Sequence, residues 1–193
     1  MRPVTGVLAL QGAFAAHVAA LERCGATTRE VRSSADLSSV QSLVIPGGES
    51  TTICMLLESS GLRGPLEERL GAGMPVLGTC AGLIVLSASI EDGRSDQFGL
   101  GVIDLVARRN GFGRQRDSFE ADVEIACESE PLRAVFIRAP RVVRLGPSVE
   151  VVAALDEEPV LVREGVALAA TFHPELSGDD RIHRMFLGFH AEV

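Results

Sequence analysis

The sequence predicts an α/β fold: a mixed, mostly parallel sheet with helices on both faces, forming a single domain over residues 1–193. Three observations carry this prediction. First, short apolar runs at Val4 to Leu10, Val40 to Ile45 and Val76 to Gly78 each end in a glycine-containing turn and lead into a segment of helical spacing. Strands that alternate with helices pair in parallel and need cover on both faces. Second, the texture after Gly99 changes to strand-like runs, which extend the same sheet with antiparallel strands. Third, 193 residues at 46% hydrophobic and 23% charged suit one globular unit, and no linker, repeat or low-complexity tract divides them.

In chain order, Val4 to Leu10 is the first strand. Phe14, Val18 and Leu21 then recur at helical spacing through Ala13 to Cys24, and Gly25 stops that helix. Val40 to Ile45 closes in Pro46-Gly47-Gly48, after which Ser50 is placed to cap a helix carrying Ile53, Leu56 and Leu57 toward Gly61. Val76 to Gly78 enters Thr79-Cys80-Ala81-Gly82 and a helix reaching about Ile90. Strand-like runs follow at Leu100 to Val106, Phe119 to Ile125, Ala134 to Ile137, Val149 to Ala154, Val160 to Val162 and Val166 to Phe172. Helical periodicity returns over Arg181 to Phe189, with Ile182, Met185, Phe186 and Phe189 facing inward and Arg181, His183, Arg184 and His190 on the outer face and flank.

Composition excludes several function classes. A net charge of −8 argues against a nonspecific grip on nucleic acid, which depends on basic side chains neutralising phosphates. Cys24, Cys54, Cys80 and Cys127 are widely spaced with no CxxC pair, so neither a zinc site nor a redox dithiol is expected. Reduced thiols in a cytoplasmic setting fit a chain that needs no staples. Pro3 to Leu21 and Leu70 to Ile90 lack Asp, Glu, Lys and Arg, but Gln11, Gly12 and His17 interrupt the first, and Pro75 and four glycines the second. Neither has the pattern of a membrane span.

The chemistry concentrates at two places. In Gly78-Thr79-Cys80-Ala81-Gly82 a thiol stands between a buried strand and a helix start, with glycine two residues to either side. This is the layout of a nucleophile elbow, in which small neighbours permit a sharp turn that lifts the side chain clear of the sheet. Backbone N–H groups at the helix start can receive an oxyanion, and the positive helix end favours the thiolate. A core cysteine in a glycine-rich turn is the plainer alternative. His173-Pro174-Glu175 follows the last apolar run, where a strand delivers residues to the ligand-bearing edge of the sheet. Histidine there can act as general base while the carboxylate turns back to its other ring nitrogen; a solvent-exposed turn is the plainer reading. From the chain's own composition, the chance expectation is roughly 0.02 for the HPE triplet and roughly 0.04 for Gly-x-Cys-x-Gly. Ser50 and Ser118 are rival nucleophiles without G-x-S-x-G spacing, and capping suits Ser50 better. The Gly47-Gly48 pair lets backbone amides approach a substrate oxygen and reorient at little steric cost.

On these residues the sequence resembles the class I glutamine amidotransferases, and among them the glutaminase subunits of pyridoxal 5′-phosphate synthases. The resemblance runs nearly the full length, through Gly6 to Gly12, Pro46 to Thr52, Gly78 to Gly82, Arg109 to Gln115 leading into Ser118-Phe119-Glu120, Phe136 to Pro140 and Phe172 to Leu176. It implies Cys80 as nucleophile, His173 as base and Glu175 as orienting carboxylate. It further implies that Gly47, Gly48, Glu49, Ser50, Arg109, Ile137 and Arg138 hold L-glutamine, and that Gln11 faces a synthase (lyase) subunit in a hetero-oligomer and couples docking to activation. No metal or organic cofactor is implied, and neither nucleic acid nor membrane is an expected partner. The alternatives are a glutaminase serving another synthase, a cysteine peptidase or thiol hydrolase, and a noncatalytic thiol-bearing interaction module.

Overall fold

The computed structural model describes residues 3–109, 111, 118–126 and 128–191. The first half alternates strand and helix: β1 (Val4–Leu8), α1 (Phe14–Arg23), β2 (Thr27–Val31), α2 (Ser34–Ser38), β3 (Ser42–Ile45), α3 (Ser50–Ser59), α4 (Arg63–Gly71), β4 (Val76–Thr79) and α5 (Ala81–Leu86). The second half is mostly extended: β5 (Ser87–Glu91), β6 (Ile103–Arg108), β7 (Ser118–Ile125), β8 (Leu132–Ile137), β9 (Arg141–Leu145), β10 (Glu150–Leu155), β11 (Glu158–Glu164) and β12 (Ala167–Ala170). A 3₁₀ turn (Pro174–Leu176), α6 (Arg181–Gly188) and a second 3₁₀ turn (Phe189–Ala191) complete it.

Nine strands form one sheet in the order β2-β1-β3-β4-β12-β11-β10-β7-β8. The stretch from β2 to β12 is parallel, and the stretch from β12 to β8 is antiparallel. Alternation along the parallel strands divides the apolar residues between two cores, as the pleat requires. Leu8, Leu43, Ile45, Val76, Ala167 and Ala169 join α2, α3, α4 and α5 on one face. Val7, Val44, Leu77, Leu168 and Ala170 join Leu21 of α1 and Ile182 and Phe186 of α6 on the other. The expected mixed sheet covered on both faces is what the chain builds.

The chain departs from the sequence reading in four places. The helix after Cys80 stops at Leu86 rather than near Ile90, because the Ser87 hydroxyl donates back to the Ile84 carbonyl at 2.7 Å and the chain turns extended there. Ser87–Glu91 becomes a strand instead. The run expected at Leu100 to Val106 is β6, and it does not join the main sheet: it pairs with β5 and β9 in a separate three-stranded sheet. The final run is shorter than expected and lies parallel to β4, with the antiparallel extension starting at β11. Ser50 does not cap α3; Glu49 is the N-cap, its carboxylate accepting from the N–H groups of Thr51 and Thr52 at 3.3 and 2.7 Å. Polar strands β2 and β9 and the short helices α2 and α4 are additions. Among the described residues no helix is long and apolar enough to cross a membrane.

Candidate active site

The loops after β1, β3, β4 and β12 leave the sheet at the carboxyl ends of its parallel strands, the edge at which open α/β sheets place ligands. They enclose a cavity of about 360 Å³ lined by Gln11, Gly47, Gly48, Glu49, Ser50, Cys80, Arg109, Ile137, Arg138 and His173, among others. Every residue expected to act on or hold a substrate lines this cavity except Glu175, which lies directly behind it.

Cys80 sits between β4 and α5 with φ 49° and ψ −102°, a conformation sparsely populated by non-glycine residues. Packing holds it there. A Cβ at Gly78 would lie 2.7 Å from the backbone of Gly82, and one at Gly82 would collide with the Ile45 carbonyl. Both glycines of the elbow are therefore required by close backbone approach. The thiol donates to the Ile137 carbonyl at 3.8 Å, and the next residue, Arg138, is itself left-handed at φ 45°.

His173 is fixed by its N–H, which donates to the Val135 carbonyl of β8 at 2.8 Å. Its Nδ1 lies 2.7 Å from Oε1 of Glu175, which leaves the other ring nitrogen, Nε2, free of that carboxylate. Burial works against charge on this imidazole, but the nearby Cys80 sulfur and the Glu175 carboxylate outweigh that penalty and raise its pKa to about 10. Burial likewise opposes charge on Glu175, yet the His173 hydrogen bond and the neighbouring imidazoles hold its carboxyl below the usual range. The triplet is thus disposed as carboxylate, imidazolium and sulfur. A Cβ at Gly47 would fall 2.9 Å from Nδ1 of His173 and 3.3 Å from Cβ of Cys80, so only glycine fits against the pair.

The glycine loop is held from three sides. The Gly47 N–H donates to the Thr79 hydroxyl at 3.0 Å, its carbonyl accepts from the Ala13 N–H at 3.0 Å, and Oε1 of Gln11 accepts from the Glu49 N–H at 2.9 Å. Of the two glycine amides, Gly47 is engaged by Thr79. On the outer wall Arg109 reaches Glu49 at 2.9 Å and Gln97 at 3.2 Å, and Nε2 of Gln97 donates to the Ser50 hydroxyl at 2.8 Å. Beyond Arg109, the arginine segment with Arg114 and Arg116 lies largely outside the described residues, as does Cys127. Cys24, Cys54 and Cys80 are free thiols. Ser118, the other rival nucleophile, is exposed at the start of β7.

Sequence reasoning missed Gln97, Thr79, His17 and His183. His183, expected on the outer flank of the last helix, is fully buried and lies 3.0 Å from Nδ1 of His17. The overlooked signal was a histidine on the stripe that Phe14, Val18 and Leu21 turn inward, where a polar ring needs a partner. Among the described residues no group of His, Cys, Asp and Glu is arranged to hold a metal ion.

The SNO glutamine amidotransferase family matches residues 7–191. The "Pyridoxal 5′-phosphate synthase subunit PdxT" of Mycobacteroides abscessus is 53% identical over 187 residues, 97% of each chain. The protein of the same name from Desulforudis audaxviator is 50% identical over 185 residues, covering 95% of this chain and 97% of its own. A solved structure described as "Crystal structure of glutamine amidotransferase" superposes with a TM-score of 0.91 at 46% identity, covering 97% of this chain and 98% of that one. At 16% identity, "Structure of PurLQS from Thermotoga maritima" shares the fold, with a TM-score of 0.72 over 98% of this chain and all of that one. With its elbow cysteine, its buried His–Glu pair and a match over nearly its whole length, the chain belongs to the SNO glutamine amidotransferase family.

Proposed function

We propose that this chain hydrolyses the side-chain amide of L-glutamine with a Cys80–His173–Glu175 triad and passes the ammonia to a synthase subunit that makes pyridoxal 5′-phosphate. The placement of Cys80 and His173 on the wall of the substrate-sized cavity, with Glu175 behind His173, carries the catalytic part. The names of relatives at about half identity support the pathway.

Cys80, its proton passed to His173, attacks the amide carbon as thiolate. The oxyanion is met by the backbone N–H groups of Gly48 and of Ala81, the first residue of α5, whose N–H has no intrahelical partner. His173 gives its proton to the amide nitrogen, ammonia departs, and a γ-glutamyl thioester remains. Glu175 holds the ring in place and offsets its charge. A water molecule then loses a proton to His173 and attacks the thioester, releasing glutamate and the thiol. Each charge that develops has a partner among the chain's own groups, so no metal or cofactor enters the scheme. Glu49, Ser50, Arg109, Ile137 and Arg138 line the part of the cavity suited to the amino-acid end of glutamine, the Arg109 guanidinium offering a fork for its carboxylate. Gln11 grips the loop that carries Gly48, which makes it the natural relay from a docked synthase to the oxyanion amides. The free thiols suit a reducing, cytoplasmic compartment.

The test is copurification with a pyridoxal 5′-phosphate synthase subunit, followed by glutamate release from the assembled complex. Cys80→Ala and His173→Asn should each lower release by about 10³-fold or more, while Glu175→Gln leaves a measurable remainder. Synthase turnover fed ammonium salt should survive all three changes. A Cys80→Ala complex that still releases glutamate would remove the triad from the reaction.

A further inference from the structure

Behind the triad lies a second layer of buried polar groups that the mechanism does not use. His17 of α1 is fully buried. Its Nε2 is 3.1 Å from the Thr79 hydroxyl and 3.3 Å from Oε2 of Glu175, the carboxylate oxygen turned away from His173. Its Nδ1 is 3.0 Å from Nε2 of His183. Two atoms in this cluster lack a hydrogen-bond partner of good geometry, Oε2 of Glu175 and Nδ1 of His183, both sealed from solvent.

Proton accounting separates the possible arrangements. If Nδ1 of His17 carried the proton and donated to His183, the His183 ring would hold its own proton on Nδ1, a buried donor facing nothing. Oε2 of Glu175 would then have no donor on the His17 ring, so a buried carboxylate oxygen and a buried N–H would both go unanswered. Doubly protonated His17 leaves the same orphaned N–H on His183. Burial, with His183 and His173 nearby, also drives the His17 pKa down to about 4 despite the opposing pull of Glu175. With the proton on Nε2, that N–H faces the Thr79 hydroxyl and, in poorer geometry, Oε2 of Glu175, while Nδ1 accepts from His183; a lone pair on Nδ1 of His183 and the Thr79 hydroxyl proton stay unanswered. Of the three, only this arrangement turns a ring N–H toward the buried carboxylate and leaves no ring N–H without an acceptor.

We propose that His17 is a positioning residue, a neutral Nε2–H imidazole that steadies the outer oxygen of Glu175 and the Thr79 hydroxyl together. Because Thr79 in turn accepts the Gly47 N–H at 3.0 Å, this one proton links the orienting carboxylate to the glycine loop beside the sulfur. The inference rests on the reading of Cys80, His173 and Glu175 as a glutaminase triad, and adds a fourth member that never touches substrate.

The experiment uses the full chain and its complex with the synthase subunit. Long-range ¹H–¹⁵N correlation spectra of the imidazoles distinguish Nε2–H, Nδ1–H and doubly protonated rings; His17 is expected as Nε2–H through the neutral range, and either other form overturns the proposal. In kinetics, His17→Gln sets a side-chain N–H the same number of bonds from Cα as Nε2, whereas His17→Met keeps bulk without the donor. His17→Met should lower kcat for glutamine about 10- to 100-fold with KM little changed, and slow alkylation of Cys80 by iodoacetamide, followed on the Cys80 peptide by mass spectrometry. His17→Gln should recover to within about threefold of wild type. Equal rates for the two variants would reduce His17 to a space-filling role. Should His17→Met fail to fold, the wild-type spectrum still decides the tautomer. A wild-type complex that releases no ammonia would instead sink the glutaminase reading, an outcome distinct from a wrong tautomer in an active enzyme.

Discussion

At residue scale, two touching glycines hold Cys80 at the turn between β4 and α5, and the proposed chemistry depends on that position. Burial alone would have favoured an inert thiol. The HPE and Gly-x-Cys-x-Gly motifs were legible because their chemistry depends on neighbours in sequence. Thr79, Gln97, His17 and His183 were not, since each gains its role from a contact across the fold. The elevated pKa of His173 has a testable sign. A folded-state value of about 10 against 6.5 means that His173 contributes stability that is fully present below about pH 6.5 and is lost as pH rises through about 10. Cys80→Ser removes one of the interactions that raise this value, so NMR titration of His173 should find a lower pKa in that variant. An unchanged titration would mean that Glu175 alone sustains the charge.

At the scale of elements, the strand–turn–helix units that form the parallel half were readable because buried strands are continuously apolar and end at glycine. The edge strand β2, Thr27–Val31, and the strand β9, Arg141–Leu145, were not, because exposed or half-covered strands carry polar residues that mimic loops. The joint between α5 and β5 was misread for a related reason: Ala81–Leu86 is buried all round and has no amphipathic stripe to mark its end. The elbow makes two predictions at this scale. Gly82→Ala pushes a methyl into the Ile45 carbonyl and should cost about 1–3 kcal/mol in denaturant unfolding, with loss of glutamine hydrolysis. Glu49→Ala removes both the N-cap of α3 and the partner of Arg109. It should lower stability by about 0.5–2 kcal/mol and raise KM for glutamine. Arg109→Ala should raise KM with little change in stability, and equal stability losses in both variants would argue against the capping role.

For the whole molecule, two cores lie on opposite faces of one sheet, and the cavity opens at the carboxyl ends of its parallel strands. Phe172 belongs to the second core and immediately precedes His173. Its ring packs against Phe136 at 5.6 Å between centroids, and Phe136 stacks on Phe119 at 4.6 Å. This aromatic run joins the antiparallel extension to the segment that bears His173. Phe172→Ala should cost about 3–5 kcal/mol in unfolding experiments. It should also depress kcat at temperatures where the variant remains folded; retention of full kcat there would show that His173 is positioned independently of that packing.

The separation of Cys80 from His173 along the polypeptide carries a consequence for biosynthesis. While β12 and the segment after it are still inside the ribosome, β4 lacks the parallel neighbour whose Ala170 carbonyl accepts the Cys80 N–H at 2.8 Å, and the emerging chain has no His173. On the proposed mechanism, prematurely terminated products ending before His173 are expected to be silent toward glutamine, so that nitrogen is drawn from the cellular pool only by molecules whose translation has passed that codon.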